Sequence, residues 1–231
     1  MTPMKNSAIV LAAGQGKRMN SKIQKQFLEV RGLPLVYYAL KCFQDTSIID
    51  EIILVTNQDA IEYCEKEIVE KYQLTKVKKI VAGGKERYDS VYAGLLACED
   101  PKYVFIHDGA RPFVDEEMLA RGLKDVQRTG ACVIGMPCKD TVKIANDHGE
   151  VESTPTRSKV WTIQTPQIFE YQLICDAHRS IRKKEMESIT DDAMVVEHEM
   201  GIPIVLTEGS YRNIKVTTPE DILIAEAFLV H

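Results

Sequence analysis

The sequence predicts an α/β fold, a mostly parallel sheet with helices on both faces. Two observations carry this. Short apolar runs alternate with amphipathic stretches as far as Met136, and a repeating strand–helix order of that kind folds as a parallel sheet. The first apolar run also enters a glycine loop directly, which places a ligand site beyond the carboxyl ends of the strands.

Taken in order, Ser7–Leu11, Glu51–Thr56, Val77–Val81, Tyr103–His107 and Ala131–Met136 are the expected buried strands. Pro34–Phe43, Asp59–Tyr72, Arg87–Cys98 and Glu116–Arg128 are the expected helices. Ile61, Cys64, Ile68 and Tyr72 fall at helical spacing, and Pro34 suits a first helical turn. The rhythm breaks near Pro137. Asp140–Ile144 alternates polar and apolar, Asp147-His148-Gly149 offers a turn, and Val151–Thr156 continues without helical pattern, which predicts a β-hairpin. An isolated hairpin is marginal in water, so this arm, about residues 138–159, should pack on a partner surface such as a second copy of the chain. Beyond it the sequence predicts strands at Trp161–Thr165, Ile202–Leu206 and Ile214–Val216. Helices are expected near Tyr171–Lys184, Asp191–Met200 and Pro219–Leu229. No repeat or low-complexity linker divides the 231 residues, so one domain is expected, spanning 1–231.

The formal net charge is −5, which argues against a general nucleic-acid surface. A polyanionic ligand must therefore meet a local cluster of cations. No apolar run approaches the roughly 20 residues of a membrane span, and Ala8–Ala13 is too short for a signal-peptide core. The six cysteines show no Cys-x-x-Cys pair, so a reduced, cytoplasmic setting is expected rather than a disulfide framework.

The first loop reads Ala12-Ala13-Gly14-Gln15-Gly16-Lys17-Arg18-Met19. Glycine allows close backbone approach, and successive N–H groups form a concave anion site. Lys17, Arg18, Lys22 and Lys25 add positive charge, which suits a ligand bearing several phosphates. A dinucleotide fingerprint would need a small residue where Met19 stands and an acid closing the second strand. That strand ends at Val55-Thr56-Asn57 without one. A Walker loop is also absent.

Three further groups stand out. Lys25 is an ordinary surface lysine unless it converges with Arg18 on phosphates, where both would stabilise developing charge. Asp108 ends a buried strand and is followed by Gly109-Ala110-Arg111-Pro112. Its bland role is a turn or helix cap, and its functional role is to hold Mg²⁺, which takes one or two protein carboxylates. His107 beside it is expected to be a hydrogen-bonded structural residue. Gly83-Gly84 before a helix containing Ser90 is either a tight turn or a wall where backbone groups read a base edge.

Together the ordered motifs carry a family resemblance. They are Ala12-Ala13-Gly14-x-Gly16-x-Arg18-Met19, Lys25-Gln26, Gly83-Gly84-x-Glu86-Arg87, His107–Pro112, Asp140-Thr141, Gln164-Thr165-Pro166-Gln167, Thr190-Asp191-Asp192 and Asn213–Thr217. From end to end the chain resembles the 2-C-methyl-D-erythritol 4-phosphate cytidylyltransferases of the non-mevalonate isoprenoid pathway. The resemblance implies a Rossmann-like nucleotidyltransferase fold and attack of methylerythritol phosphate on the α-phosphate of CTP, releasing pyrophosphate. It implies Arg18, Lys25 and Lys215 as catalytic cations. Ala12, Ala13, Gly14, Gly16, Gly83, Gly84, Ser90 and Asp108 would bind the nucleotide, with Asp108 on the metal. Arg111, Thr141, Arg157 and Thr165 would meet the acceptor. It also implies a homodimer whose arms complete each other's sites. A phosphate monoester is largely dianionic at pH 7, so it needs relief from repulsion rather than a general base. One departure stands out: Arg212 occupies a place where some members carry an acid near the metal.

The nearest alternative is ribitol-5-phosphate cytidylyltransferase. Ala12-Ala13-Gly14 and Gly109-Ala110-Arg111 favour the isoprenoid enzyme. A non-catalytic nucleotide-binding module should lack Lys25, Asp108 or Lys215, and all three are present.

Overall fold

The computed structural model describes residues 5–14, 24–182 and 189–230. Its centre is a seven-stranded sheet of order β11-β7-β10-β6-β1-β4-β5. The strands are β1 (Asn6–Leu11), β4 (Glu51–Thr56), β5 (Val77–Ala82), β6 (Tyr103–Asp108), β7 (Ala131–Pro137), β10 (Trp161–Glu170) and β11 (Val205–Glu208). β1 pairs in parallel with β4 and β6, β4 with β5, and β7 with β11. β10 runs antiparallel to both β6 and β7.

Alternation along the strands sorts the core into two layers, because successive side chains leave opposite faces. Ala8, Val10, Ile52, Leu54 and Phe105 face α1 (Leu35–Asp45), the helical turns of 61–70 and α4 (Glu116–Thr129). Ile9, Leu11, Ile53, Val55, Val104 and Ile106 face α3 (Arg87–Ala97), α5 (Tyr171–Ile181) and α6 (Asp192–Met200). β1, β4 and β6 are buried along their whole length, as strands covered on both faces must be. α7 (Pro219–Phe228) closes a third, smaller cluster with Ala225, Val216 and Ala110.

Several expectations need correction. Ile214–Val216 is not a strand; Val216 donates its N–H to Ala110 O at 2.8 Å outside any ladder. The strand expected at Ile202–Leu206 is β11, displaced to Val205–Glu208. The Trp161–Thr165 strand continues to Glu170 through Pro166, with an irregular register between Ile163 and Gln167. The helix expected at Asp59–Tyr72 is a 3-10 turn (Gln58–Ala60), a short α2 (Ile61–Tyr63) and a π-helical stretch (Cys64–Glu70). Pro34 is the N-cap of α1 rather than part of its first turn. It also ends an unanticipated hairpin of β2 (Glu29–Val30) and β3 (Leu33–Pro34), turned at Arg31 and Gly32, both with positive φ. The arm is a hairpin, but only β8 (Ile144–Ala145) and β9 (Val151–Ser153) pair, so Asp140–Lys143 is loop.

Candidate active site

β1 and β6 are adjacent, and the chain leaves β1 in one direction through β4 and β5 before returning to β6 on the other side. Such a reversal opens a crevice at the carboxyl ends of the strands. A cavity of about 580 Å³ lies there, lined by Leu11 and Asp108 from the two strand ends and by Asn57 just beyond β4. This is within the range of about 300–1,000 Å³ of small-ligand sites. Lys25, Lys85, Arg87 and Lys215 bring four cations to its walls, against the two carboxylates Glu86 and Asp108. An anion-seeking pocket thus sits in a chain of net charge −5.

Local chemistry explains how these side chains arrive. Asp108 ends β6, and its N–H donates to the Thr165 hydroxyl at 3.1 Å. Gly109 follows because a Cβ there would come within 3.0 Å of Leu11 O and of Val36 Cγ2. Arg87 opens α3 behind a capping box made by Glu86 and Asp89. At Gly83 an added Cβ would lie 2.6 Å from Ser90 Oγ and 2.8 Å from the Ala13 Cβ. That turn therefore requires glycine, and Ser90 Oγ accepts the Gly84 N–H at 3.1 Å.

Charges alternate through the site. Lys215 Nζ lies 2.7 Å from Asp108 Oδ2. Arg87 Nε donates to Asp108 Oδ1 at 3.3 Å, while its Nη1 lies 2.8 Å from Oδ2 of the fully buried Asp192. Burial by itself would raise the Asp108 carboxyl; Arg87 and Lys215 outweigh it and hold the group well below the usual carboxylate range. Asp192 is raised by burial against the pull of Arg87. Asp192 is delivered by Gln167, whose Oε1 accepts the N–H groups of Asp192 and Ala193 at 2.9 and 3.0 Å.

His107 is fully buried. Its Nε2 faces Arg111 O at 3.0 Å and its Nδ1 faces the Thr165 hydroxyl at 3.0 Å. A carbonyl can only accept, so Nε2 carries the proton and Thr165 donates to Nδ1. Burial lowers this imidazole to about 4.

Of the residues singled out in the sequence, Ala13, Gly14, Lys25, Gly84, Ser90, Asp108 and Lys215 meet at the cavity. Ala12 is buried beneath it and Gly83 adjoins it through Ser90. Gly16 and Arg18 lie outside the described residues. Arg111, Thr141, Arg157 and Thr165 do not line the cavity of their own chain. Arg111 donates to Asn213 O and Ile163 O at 2.8 and 3.3 Å. Thr165 is buried, and Thr141 and Arg157 are exposed on the arm. Arg212 turns toward α7, donating to Phe228 O and lying over the Phe228 ring. Sequence reasoning gave no role to Arg87, Asp192, Gln167 or Asn213, although each sat inside a quoted motif. Among the described residues no cluster of three metal-ligating side chains occurs.

Fold and site together define an α/β protein with a cation-lined pocket at the carboxyl ends of its central strands. The chain matches the family IspD, 2-C-methyl-D-erythritol 4-phosphate cytidylyltransferase, over residues 7–231. It is 50% identical over 226 residues to the protein of that name from Clostridium botulinum strain Loch Maree, covering 97% of each chain. It is 46% identical over 225 residues to that of Lachnoclostridium phytofermentans, covering 97% and 96%. The solved 4-diphosphocytidyl-2C-methyl-D-erythritol synthase of Anaerococcus prevotii superposes with a TM-score of 0.86 at 35% identity, covering 99% and 97%. The Thermus thermophilus structure gives 0.78 at 31%, covering 96% and 98%. The chain belongs to this family of nucleotidyltransferases of isoprenoid biosynthesis.

Proposed function

We propose that the chain transfers CMP from CTP to 2-C-methyl-D-erythritol 4-phosphate, as its relatives are named for doing. An acceptor phosphate oxygen forms the new bond to the α-phosphorus. The bond to the β-phosphate oxygen breaks, and pyrophosphate leaves with its electron pair. The observation that carries the reading is the charge pattern of the cavity: four cations line it against two carboxylates, and Arg87 and Lys215 hold one of these, Asp108, ionised. Asp108 kept ionised is a poor general acid, and both ring nitrogens of His107 are engaged. The acceptor phosphate is its own nucleophile, so what the chain supplies is charge. Lys25, Lys215 and Arg18 take the roles of cations at the reacting phosphates, most effective where charge develops.

Asp108 fits a divalent cation such as Mg²⁺. It is a carboxylate at the cavity wall, and each of its oxygens keeps acceptor capacity beyond its ion pair. Glu86 is engaged in its helix cap and Arg212 faces α7, so among the described residues Asp108 is the carboxylate that would meet the ion. Bound there, the ion would relieve repulsion between acceptor and triphosphate. The turn at Gly83, Gly84 and Ser90 takes the base side of the nucleotide.

We assign the active unit to a homodimer of single-domain chains. Among the described residues β8 and β9 pair only with each other, and Ile144 and Val151 on the arm are 48% and 60% exposed. Arg157 and Thr141 on the arm, with Arg111 and Thr165, serve the acceptor phosphate. The six free cysteines fit a reducing cytoplasm, and no described helix is long and apolar enough to cross a membrane. The deciding experiment is pyrophosphate release from CTP with methylerythritol phosphate and, separately, with ribitol phosphate. Turnover of the first alone is expected; preference for ribitol phosphate overturns the acceptor assignment.

A further inference from the structure

We propose that Asn213 is a positioning residue that holds Lys215 against Asp108, an inference that rests on the catalytic role proposed for Lys215. Residues 213–217 form neither helix nor strand, and the Lys215 side chain is 38% exposed. A lysine so placed has rotamer entropy to lose on ordering. Its Nζ nevertheless lies 2.7 Å from Asp108 Oδ2.

The backbone on either side of it is pinned. Asn213 is fully buried. Its Nδ2 donates to Thr165 O at 2.9 Å and to Gln164 Oε1 at 3.3 Å, which ties the loop to β10. Its own carbonyl accepts from Arg111 Nη1 at 2.8 Å. On the other side of Lys215, the buried Val216 donates its N–H to Ala110 O at 2.8 Å. Thr165 and Ala110 in turn belong to the segments that set Asp108: Thr165 accepts the Asp108 N–H, and Ala110 lies two residues beyond Asp108. One buried amide thus references the lysine to the strand that holds its carboxylate partner. The Asn213 Oδ1 makes no hydrogen bond among the described residues, so the side chain acts through its two N–H donors.

The test is a double-mutant cycle in pyrophosphate release on the full-length enzyme, using Asn213→Ala, Lys215→Ala and the pair. Asn213→Leu, which keeps most of the volume and removes the donors, enters the same cycle and serves where Asn213→Ala fails to fold. Asn213 variants are expected to lower kcat about tenfold or more while the KM for CTP moves less than about threefold. In the Lys215→Ala background the same change should cost less than about twofold, because groups acting as a unit are not additive. Losses that multiply in the double variant, with Lys215→Ala itself strongly impaired, overturn the positioning role and leave the catalytic lysine standing. A fully active Lys215→Ala chain removes the catalytic role of Lys215, and the route through it falls with that role.

Discussion

Lys215 Nζ and Asp108 Oδ2 lie 2.7 Å apart, on a loop near the end of the chain and at the tip of a central strand. With Arg87 on its other oxygen, this carboxylate is kept ionised while its surroundings are cationic. It is therefore the group that the proposed divalent cation would meet, between cations that suit a triphosphate.

Asp108→Asn should lower activity strongly and shift the Mg²⁺ requirement upward, since the amide cannot supply the charge. The change also removes the anion between Lys215 and Arg87. A Mg²⁺ titration of pyrophosphate release reads the first effect, and Mn²⁺ binding to the nucleotide complex reads the metal site apart from turnover. An unchanged titration would remove Asp108 from the metal.

Lys25→Ala and Arg18→Ala should lower kcat more than they raise the KM for CTP, because their charges matter most where the transition state is most anionic. Each is expected to cost on the order of 3 kcal/mol, by analogy with loss of one oxyanion donor. Steady-state kinetics separate the cases: a pure KM effect assigns the residue to ground-state binding.

The layered sheet was legible because its information is local. Ile9 and Val10 face opposite layers by alternation alone, and Asp108 was legible as a polar residue ending an apolar run. What escaped depends on distant partners. Arg87 is one more surface-type arginine until folding brings Asp192 and Asp108 to it, and Asn213 is a loop asparagine until β10 runs beside it. Pro166 cannot donate to a ladder, so local rules stop the strand at Thr165; in the fold, pairing resumes at Gln167. Ile214 and Val216 have strand-like composition, yet Val216 is buried in the cluster with α7 rather than in a sheet. The arm was legible as a hairpin, but its short pairing was not, because its exposed residues leave register weakly specified.

Stability should fall as the medium is acidified from pH 7 to pH 5. His107 and His178 are both fully buried, and burial lowers each imidazole to about 4, against about 6.5 when free. The unfolded chain therefore binds protons that the folded chain excludes. The stabilisation is complete above about pH 6.5 and is lost as pH falls toward 4. By pH 5 each histidine corresponds to a loss on the order of 2 kcal/mol. Urea unfolding across this range checks it. His178→Gln should flatten the profile, and an equally steep profile in that variant would assign the acid sensitivity elsewhere.

The last prediction concerns the arm. Arg157 is exposed, with a long 3.5 Å contact from Nη1 to Lys139 O. Its planar fork suits bidentate contact with a phosphate monoester. If it reaches the partner's cavity, two inactive variants should complement each other. Co-expression of Arg157→Ala chains with Lys25→Ala chains yields heterodimers in which one site carries both lesions and the other carries neither. Activity in purified heterodimers should then return to about half the wild-type value per dimer, the other site being silent. An Arg157 that serves its own subunit leaves one lesion in each heterodimer site, and nothing is recovered. Equal amounts of the two homodimers, kept from exchanging subunits, give the baseline. Recovery above it places Arg157 in trans, and no recovery in verified heterodimers places it in cis.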